Sequence, residues 1–335
     1  MQLIQTIDSH TGGEGTRLVI SGLPDLHGAT MEEKLIEARL RMPWAPRLLL
    51  REPRGHKDLY GALLTPACDP RADQGVLFMN NSDYEPMCGH GLIGVVTSLL
   101  ETGMFPGPSL VLETAVGLIS TRAEIQAGRV LSVEFDNVPS FAVRLDANLH
   151  LENGEQYIVD IAFGGNYFVL VNAHRVNIKL HPANADRLAD LGMRILAAAN
   201  QQFPVQHPLH PQIDRITDVR FLEPLDALSS RNVVILGDRM LDRSPCGTGT
   251  CAELAVRYAR GQVRLDESFT SQGILGTWFT AQAVAEAGSG YKDLLYPAII
   301  PRLQGQAFLT GDHQFVLHDD DPFQEGFLLI DEVGT

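Results

Sequence analysis

Residues 85–103 read E-P-M-C-G-H-G-L-I-G-V-V-T-S-L-L-E-T-G, and residues 243–261 read R-S-P-C-G-T-G-T-C-A-E-L-A-V-R-Y-A-R-G. These stretches are related copies, because their glycines coincide when Cys88 is aligned with Cys246. The matched pairs are Gly89 with Gly247, Gly91 with Gly249, and Gly103 with Gly261. The two cysteines are separated by 158 positions (88 to 246), which is about one domain length. The chain therefore carries a degenerate internal repeat.

Each copy predicts a cysteine at the start of a helix. Glycines directly after the cysteine permit a tight turn, the next dozen residues favour helix, and the closing glycine suits a left-handed helix end. The free N–H groups and the positive end of the helix dipole favour a thiolate there. They can lower a thiol pKa from about 8.5 to roughly 3.5–7.5. The same N–H groups can bind a carboxylate.

Two such helix starts facing one another would place a small carboxylate between two thiol or thiolate groups. One group would remove a proton from the α-carbon and the other would deliver a proton to the opposite face, which inverts the centre without a cofactor. Two alternatives remain. A metal site formed by Cys88, His90 and Cys246 lacks a fourth ligand and a CxxC or close histidine pair. A disulfide between the cysteines would leave no room for a substrate.

Length, charge and cysteine content narrow the class of protein. A chain of 335 residues suits two domains. Its net charge of −15 comes from 41 acidic and 26 basic residues without a basic cluster, which argues against nucleic-acid binding. No apolar run approaches the roughly 18 residues of a membrane span, and no signal peptide is visible. The four cysteines are therefore expected to stay reduced in the cytoplasm. A homodimer is left open.

The two helices after the cysteines differ in character. The first carries no charge from Gly89 through Leu100, and its apolar residues cover most of its circumference. A helix that is apolar all round is buried, so we expect it to run through the middle of a shell of strands. In the second helix Glu253 and Arg257 can form an i,i+4 pair, which predicts that one side lies nearer solvent.

Most of the remaining chain predicts strands separated by turns. Residues 1–20 predict two strands around a polar loop, and residues 156–171 predict two strands joined at Gly164-Gly165. G-F-L-L-I at residues 326–330 predicts a last strand. Because strand–helix–strand alternation is rare, the pattern favours mixed or antiparallel sheets in an α+β fold over a doubly wound one.

The cysteine motifs resemble those of the proline racemase family. The resemblance rests on M-C-G-H-G at residues 87–91 and D-R-S-P-C-G-T-G-T at residues 242–250. It extends through D-S-H-T-G-G-E at 8–14, E-P-R-G-H at 52–56, D-I-A-F-G-G-N at 160–166 and D-P-F-Q-E-G-F at 321–327.

The resemblance implies a diaminopimelate-epimerase-like fold. This fold has two pseudo-symmetric domains, each a β-shell around a central helix, with the active site in the cleft between them. We expect residues 1–125 plus 308–335 to form the domain that carries Cys88. Residues 126–307 would form the domain that carries Cys246.

Site residues follow from the same resemblance. It implies that Cys88 and Cys246 are the acid and the base, and that no cofactor or metal takes part. Backbone amides after each cysteine would hold the substrate carboxylate, at Gly89 and His90 in one loop and at Gly247 and Thr248 in the other. His90 would make a second polar contact. Asp242 would bind the substrate ammonium.

Single positions indicate the branch of the family. Dehydratase-type members typically carry threonine where this chain has Cys246, so two thiols favour inversion of configuration. C-G-H-G, with Gly91 where racemases commonly carry asparagine, favours the hydroxyproline-epimerase branch, acting between trans-4-hydroxy-L-proline and cis-4-hydroxy-D-proline. Many of those epimerases have histidine at the position of Asp218. The alignment therefore makes Asp218, with His90, a candidate for binding the ring hydroxyl of the substrate, and an aspartate there would alter substrate preference or stereochemistry.

Three other functions stay open from the sequence. They are a proline racemase, an epimerase of another hydroxyproline isomer, and a non-catalytic amino-acid-binding protein. The intact pair of Cys88 and Cys246 argues against the binding protein, since a binder needs neither thiol.

Overall fold

The structure is a computed structural model, and it describes residues 2–237 and 239–329. The described residues divide into two compact units. The first unit comprises residues 2–120, 125–130 and 307–329, and the second comprises residues 121–124, 131–237 and 239–306. Cys88 lies in the first unit and Cys246 in the second. Residues 330–335, which the sequence analysis places in the first domain, lie outside the described residues.

Strands outnumber helices in the described part of the chain. The helices are α1 (Met31–Arg41), α2 (Trp44–Leu50), α3 (Gly89–Glu101), α4 (Ala173–Val176), α5 (Ala185–Gln202) and α6 (Gly247–Ala259). The strands are β1 (Gln2–Thr11), β2 (Glu14–Ser21), β3 (Tyr60–Thr65), β4 (Gln74–Met79), β5 (Tyr84–Glu85), β6 (Ser109–Thr114), β7 (Gly117–Gln126), β8 (Arg129–Asp136), β9 (Phe141–His150), β10 (Gln156–Phe163), β11 (Tyr167–Asn172), β12 (Ile216–Asp226), β13 (Ser229–Leu236), β14 (Met240–Asp242), β15 (Ser268–Gln272), β16 (Trp278–Glu286), β17 (Ile299–Gly305) and β18 (Ala307–Leu317).

In the first unit a curved sheet surrounds α3. Strand β1 pairs antiparallel with β18 and β2, β2 runs parallel to β3, β3 pairs antiparallel with β4, and β4 runs parallel to β6. Helix α3 packs against β1, β2, β3 and β18. Residues 89–99 are all buried, which confirms the prediction of a central apolar helix. Helices α1 and α2 contribute to a separate apolar cluster with β3 and β4.

The second unit repeats this order of pairings around α6. Strand β10 pairs antiparallel with β9 and β11, β11 runs parallel to β12, β12 pairs antiparallel with β13, and β13 runs parallel to β15. Strands β16 and β17 continue the sheet to β8. Helix α6 packs against β9, β10, β11, β16 and β17, while α5 packs against β12 and β13. The α+β class and the shell around a central helix are therefore confirmed.

The closing glycines of the repeat end both central helices in the same way. Gly103 has φ +72° and Gly261 has φ +66°, two residues beyond the last helical residue in each case. A left-handed residue at this place lets the last helical carbonyls be hydrogen-bonded, and glycine adopts it without strain. The repeat seen in the sequence thus corresponds to a repeat of backbone structure.

One predicted strand is wrong, and the helices α2 and α4 were not predicted. Within residues 326–330, Phe327 forms only an isolated antiparallel bridge with Glu52, and Ile330 lies outside the described residues. Helix α2 shows no alternation of apolar and polar residues at helical spacing, because five of its seven residues are buried and one of these is Pro46. In the described part of the chain, no helix is long and apolar enough to cross a membrane.

Candidate active site

The first half-site, which we define as Cys88, Gly89 and His90, lies at the start of α3. Cys88 is the residue directly before the helix, and it has extended backbone with φ −146°. Its Sγ lies 3.5 Å from Nδ1 and 3.7 Å from Nε2 of His90. Gly89 and His90 provide the first two N–H groups of the helix, a place where backbone donors have no intrahelical acceptor. The structure therefore places a thiol, an imidazole and backbone donors together.

His90 is held by contacts on two sides. Its ring meets the ring of Tyr60 edge to face, with 4.6 Å between centroids. Its carbonyl oxygen accepts a hydrogen bond of 2.9 Å from Thr11 Oγ1, at the end of β1. Both His90 and Cys88 are buried. The end of β1 thus fixes the first turn of α3.

The second half-site, which we define as Asp218, Asp242, Cys246, Gly247 and Thr248, is built around the start of α6. Cys246 precedes the helix with φ +59° and ψ 105°, a left-handed conformation that non-glycine residues seldom adopt. Its Sγ accepts a hydrogen bond of 3.4 Å from Gly249 N and lies 3.9 Å from Thr248 Oγ1. Gly247 and Thr248 are the first residues of α6.

The second glycine after each cysteine leaves space for the thiol. A Cβ added to Gly91 would lie 3.0 Å from Cys88 Sγ and 3.1 Å from Phe78 Cδ1. A Cβ added to Gly249 would lie 3.0 Å from Cys246 Sγ and 3.2 Å from Phe168 Cε1. Each thiol therefore folds back over the first turn of its helix, in the space that a side chain would otherwise fill.

Asp242 is linked to Cys246 through one serine. Its Oδ1 accepts a hydrogen bond of 2.8 Å from Ser244 N, and Ser244 Oγ accepts one of 3.0 Å from Cys246 N. The carboxylate and the connecting serine are buried. This chain of bonds fixes the loop between β14 and α6, and it keeps a carboxylate near the thiol.

Asp218 lies on β12, and the pKa of its carboxyl is raised. Its side chain is buried, and Thr217 Oγ1 donates a hydrogen bond of 2.6 Å to Oδ2. Burial raises the pKa of Asp218 to about 7; the bond from Thr217 lowers this pKa, and the charge of Asp242 raises it. The electrostatic coupling of Asp218 to Asp242 and to Cys246 places all three groups in one neighbourhood.

The lowered thiol pKa that the helix start predicts is not found at Cys246. Burial raises the pKa of the Cys246 thiol well above its ordinary value, and the charges of Asp242 and Asp218 add to this increase. Arg220 and the N–H of Gly249 act in the opposite direction but are outweighed. The helix start alone does not decide the protonation state, because carboxylates from two strands act on the same sulfur.

The second unit also contains a buried ion cluster that the sequence analysis missed. Arg220, on β12, donates to Glu253 Oε2 at 2.9 Å, and Arg257 donates to Glu253 Oε1 at 2.9 Å. The predicted Glu253–Arg257 pair is confirmed, but its expected position near solvent is wrong, since both residues are buried. In R-I-T-D-V-R-F, residues 215–221, the charged residues Asp218 and Arg220 alternate with apolar ones. Because alternate side chains of a strand point to the same face, this pattern could have indicated that both charges lie on one buried face of β12.

The described residues contain a further cavity but no group of three or more His, Cys, Asp or Glu side chains that could hold a metal ion. Cys68, Cys88, Cys246 and Cys251 form no disulfide bond. A cavity of about 290 Å³ lies in the second unit, bounded by β10, β11, β12 and the end of α6, and Cys246 does not line it.

Comparison with known proteins gives a consistent result. Residues 6–328 match the family model described as Proline racemase. The chain is 38% identical to a protein named 4-hydroxyproline 2-epimerase from Streptosporangium roseum, over 98% of this chain and 99% of that protein. It is 37% identical to a protein named proline racemase from Clostridioides difficile, over 97% and 98% of the two chains.

A solved structure agrees over nearly the full length. The crystal structure of a hydroxyproline epimerase from Agrobacterium vitis, with bound trans-4-OH-L-proline, matches with a TM-score of 0.90 and 34% identity. The match covers 99% of this chain and 98% of that one. The chain carrying these two cysteine half-sites therefore belongs to the proline racemase family.

Proposed function

We propose that the chain is a cofactor-independent 4-hydroxyproline 2-epimerase that interconverts trans-4-hydroxy-L-proline and cis-4-hydroxy-D-proline. The observation that carries this proposal is the buried thiol directly before the central helix of each unit. A repeat that preserves both thiols and both glycine turns is expected of a reaction that needs one proton-transfer group on each face of a carbon atom.

Family membership makes the chain an isomerase that acts on proline derivatives. The choice of 4-hydroxyproline is supported by the names of the Streptosporangium roseum and Agrobacterium vitis relatives. Gly91 also supports it, since a side chain at this position would press against Cys88 Sγ and the ring of Phe78. Proline racemase is the second candidate, because the Clostridioides difficile relative with that name is almost equally similar.

In the proposed mechanism both half-sites act on one substrate. The N–H groups of Gly89 and His90, and those of Gly247 and Thr248, hold the substrate carboxylate, which draws negative charge away from the α-carbon as its proton leaves. Asp242 pairs with the substrate ammonium. These contacts fix the α-carbon so that each of its two faces meets one thiol.

Proton transfer then needs one base and one acid. The α-carbon–hydrogen bond breaks as Cys88 Sγ takes the proton, and Cys246 delivers its own proton to the other face. The raised pKa of Cys246 supports its role as the acid in this direction. For the opposite stereoisomer the two thiols exchange roles. Each turnover therefore leaves the two cysteines in the protonation state that the other stereoisomer requires.

The experiment that tests the proposal is proton exchange in deuterium oxide. Stereoisomers of proline and hydroxyproline are incubated with the enzyme, and proton NMR follows the α-proton signal and the appearance of the inverted isomer. We expect loss of the signal and inversion at C2 for trans-4-hydroxy-L-proline. A higher kcat/KM for L-proline would assign the racemase activity instead. Tight binding without any exchange would identify an amino-acid-binding protein.

A flat ring acid is expected to compete with the substrate. The planar ring carbon of pyrrole-2-carboxylate resembles the point at which the proton lies on neither face, and enzymes bind such shapes more tightly than substrates. The compound should slow alkylation of Cys88 and Cys246 by iodoacetamide, measured by peptide mass spectrometry. Half-buried Cys68 is the internal control, whose rate should stay unchanged. If the acid changes the alkylation rate at none of the three cysteines, the proposed site is contradicted.

A further inference from the structure

Arg220 is the buried cation behind the second half-site. Its side chain is fully buried, at 0% exposure. Its Nη1 donates to Asn232 Oδ1 at 2.8 Å, and its Nη2 donates to Ser271 Oγ at 2.9 Å. A buried guanidinium is costly unless its donors are satisfied, so its position is fixed by the groups around it.

One contact of Arg220 reaches the cysteine loop itself. Nη1 also lies 3.2 Å from the carbonyl oxygen of Pro245, the residue before Cys246, and donates a hydrogen bond to it. The same Nη1 would lie 3.0 Å from a Cβ at Gly249, which is the residue that donates to Cys246 Sγ. The guanidinium therefore lies under the turn whose left-handed backbone positions the thiol.

Glu253 holds Arg220 in place. Its Oε2 accepts bonds from Arg220 Nη2 at 2.9 Å and from Ser230 Oγ at 2.9 Å, while Oε1 accepts from Arg257. Burial alone would raise the pKa of Glu253, but the charges of Arg220 and Arg257 hold it below its ordinary value. Glu253 is therefore ionised, and it partly neutralises Arg220.

We infer that Arg220 is a positioning residue that fixes the Pro245–Cys246 turn and supplies the positive charge beside the Cys246 thiol. The charged groups that act on this sulfur are Asp242 from β14 and Asp218 and Arg220 from β12. Arg220 is the one cation among them. Glu253, on α6, acts on the sulfur through its contact with Arg220, and Arg257 pairs with Glu253.

Removing the cation or the anion of the Arg220–Glu253 pair should change the fraction of Cys246 thiolate in opposite directions. Arg220→Gln removes the cation, which leaves the thiol facing carboxylates alone, so less thiolate forms. Glu253→Gln removes the neutralising anion, so the field of Arg220 at the sulfur becomes stronger and more thiolate forms. Simple damage to packing would move both variants in the same direction, because it would disturb the same loop.

The inference, which rests on the proposed function of Cys246, is tested by thiol reactivity without substrate. Alkylation of Cys246 by iodoacetamide at about pH 8 is followed by peptide mass spectrometry, since only the thiolate reacts. A nearby charge changes a pKa by about 1–3 units, so Arg220→Gln should slow alkylation about 10-fold or more and Glu253→Gln should accelerate it. Arg194→Gln, which breaks an exposed pair with Glu155, is the matched control and should leave the rate unchanged.

Each outcome decides the inference. Changes in the same direction for both variants, or rates equal to that of the Arg194→Gln control, overturn it. If circular dichroism shows that Arg220→Gln does not fold, Glu253→Gln decides alone, and a rate at or below that of the unchanged chain overturns it. The proposed function fails separately, since wild-type enzyme without α-proton exchange on any proline isomer would leave these alkylation rates as they are.

Discussion

Replacing Cys88 or Cys246 with serine is expected to lower the rate of inversion by at least about 10³-fold, within the range of about 10²–10⁴ for the loss of a general acid or base. A hydroxyl is a much weaker acid than a thiol. It can therefore neither take the α-proton as an alkoxide nor release its own proton at a useful rate. The measurement is the change in optical rotation of trans-4-hydroxy-L-proline, with thermal unfolding as the check on the fold.

Cys68→Ser is the matched control for both substitutions. Cys68 is half-buried, its Sγ donates a hydrogen bond of 3.6 Å to the carbonyl oxygen of Gly28, and it packs against the apolar cluster of α1 and α2. Loss of this thiol should leave inversion unchanged. Full activity in either Cys88→Ser or Cys246→Ser would refute the two-thiol mechanism, because the proposed reaction has no other group for that face of the substrate.

Asp218→Ala should lower kcat/KM for trans-4-hydroxy-L-proline by about 10- to 100-fold and lower kcat/KM for L-proline much less, because a changed charge beside Cys246 acts on both substrates alike. The two substrates share their carboxylate, ammonium and C2, so discrimination requires a contact at ring C4. A hydrogen bond to a charged group contributes about 1.5–3 kcal/mol, which corresponds to this loss. Asp226→Ala, at the exposed end of the same strand, is the control.

The raised pKa of Asp218 adds a pH dependence to this prediction. With a pKa of about 7, the carboxyl is neutral below that pH and ionised above it. Only the ionised form accepts a hydrogen bond with both oxygens, so the preference for hydroxyproline over L-proline should increase between about pH 6 and about pH 8. Asp218→Asn should abolish this increase. Equal losses on both substrates after Asp218→Ala would show that Asp218 does not bind the ring hydroxyl of the substrate.

The parts of the fold that could be predicted depend on neighbours in sequence. The glycine spacing after Cys88 and Cys246 marks two helix starts, and Gly103 and Gly261 mark two helix ends. The absence of charge from Gly89 through Leu100 indicates a helix surrounded by strands. Each of these signals lies within about 20 residues, so no knowledge of strand pairing is needed to read it.

The electrostatics of the second half-site could not be predicted in the same way. The pKa of the Cys246 thiol depends first on burial and then on the charges of Asp242 and Asp218, which reach it from β14 and β12. The buried carboxylate of Glu253 depends on Arg220, which lies 33 positions earlier in the chain. Local rules gave a lowered thiol pKa and a helix side near solvent. Both were wrong because packing against the strands buries α6 and brings distant charges to it.

The left-handed backbone at Cys246 bears on how branches of this family can diverge. A non-glycine residue in this region carries strain of about 1–3 kcal/mol, and a β-branched residue is disfavoured there more than cysteine is. Dehydratase-type relatives typically carry threonine at this position. A single Cys246→Thr exchange on the present backbone would therefore destabilise the turn before it created a new chemistry. We therefore expect the 243–245 loop to change together with residue 246 where one reaction has replaced the other in this family.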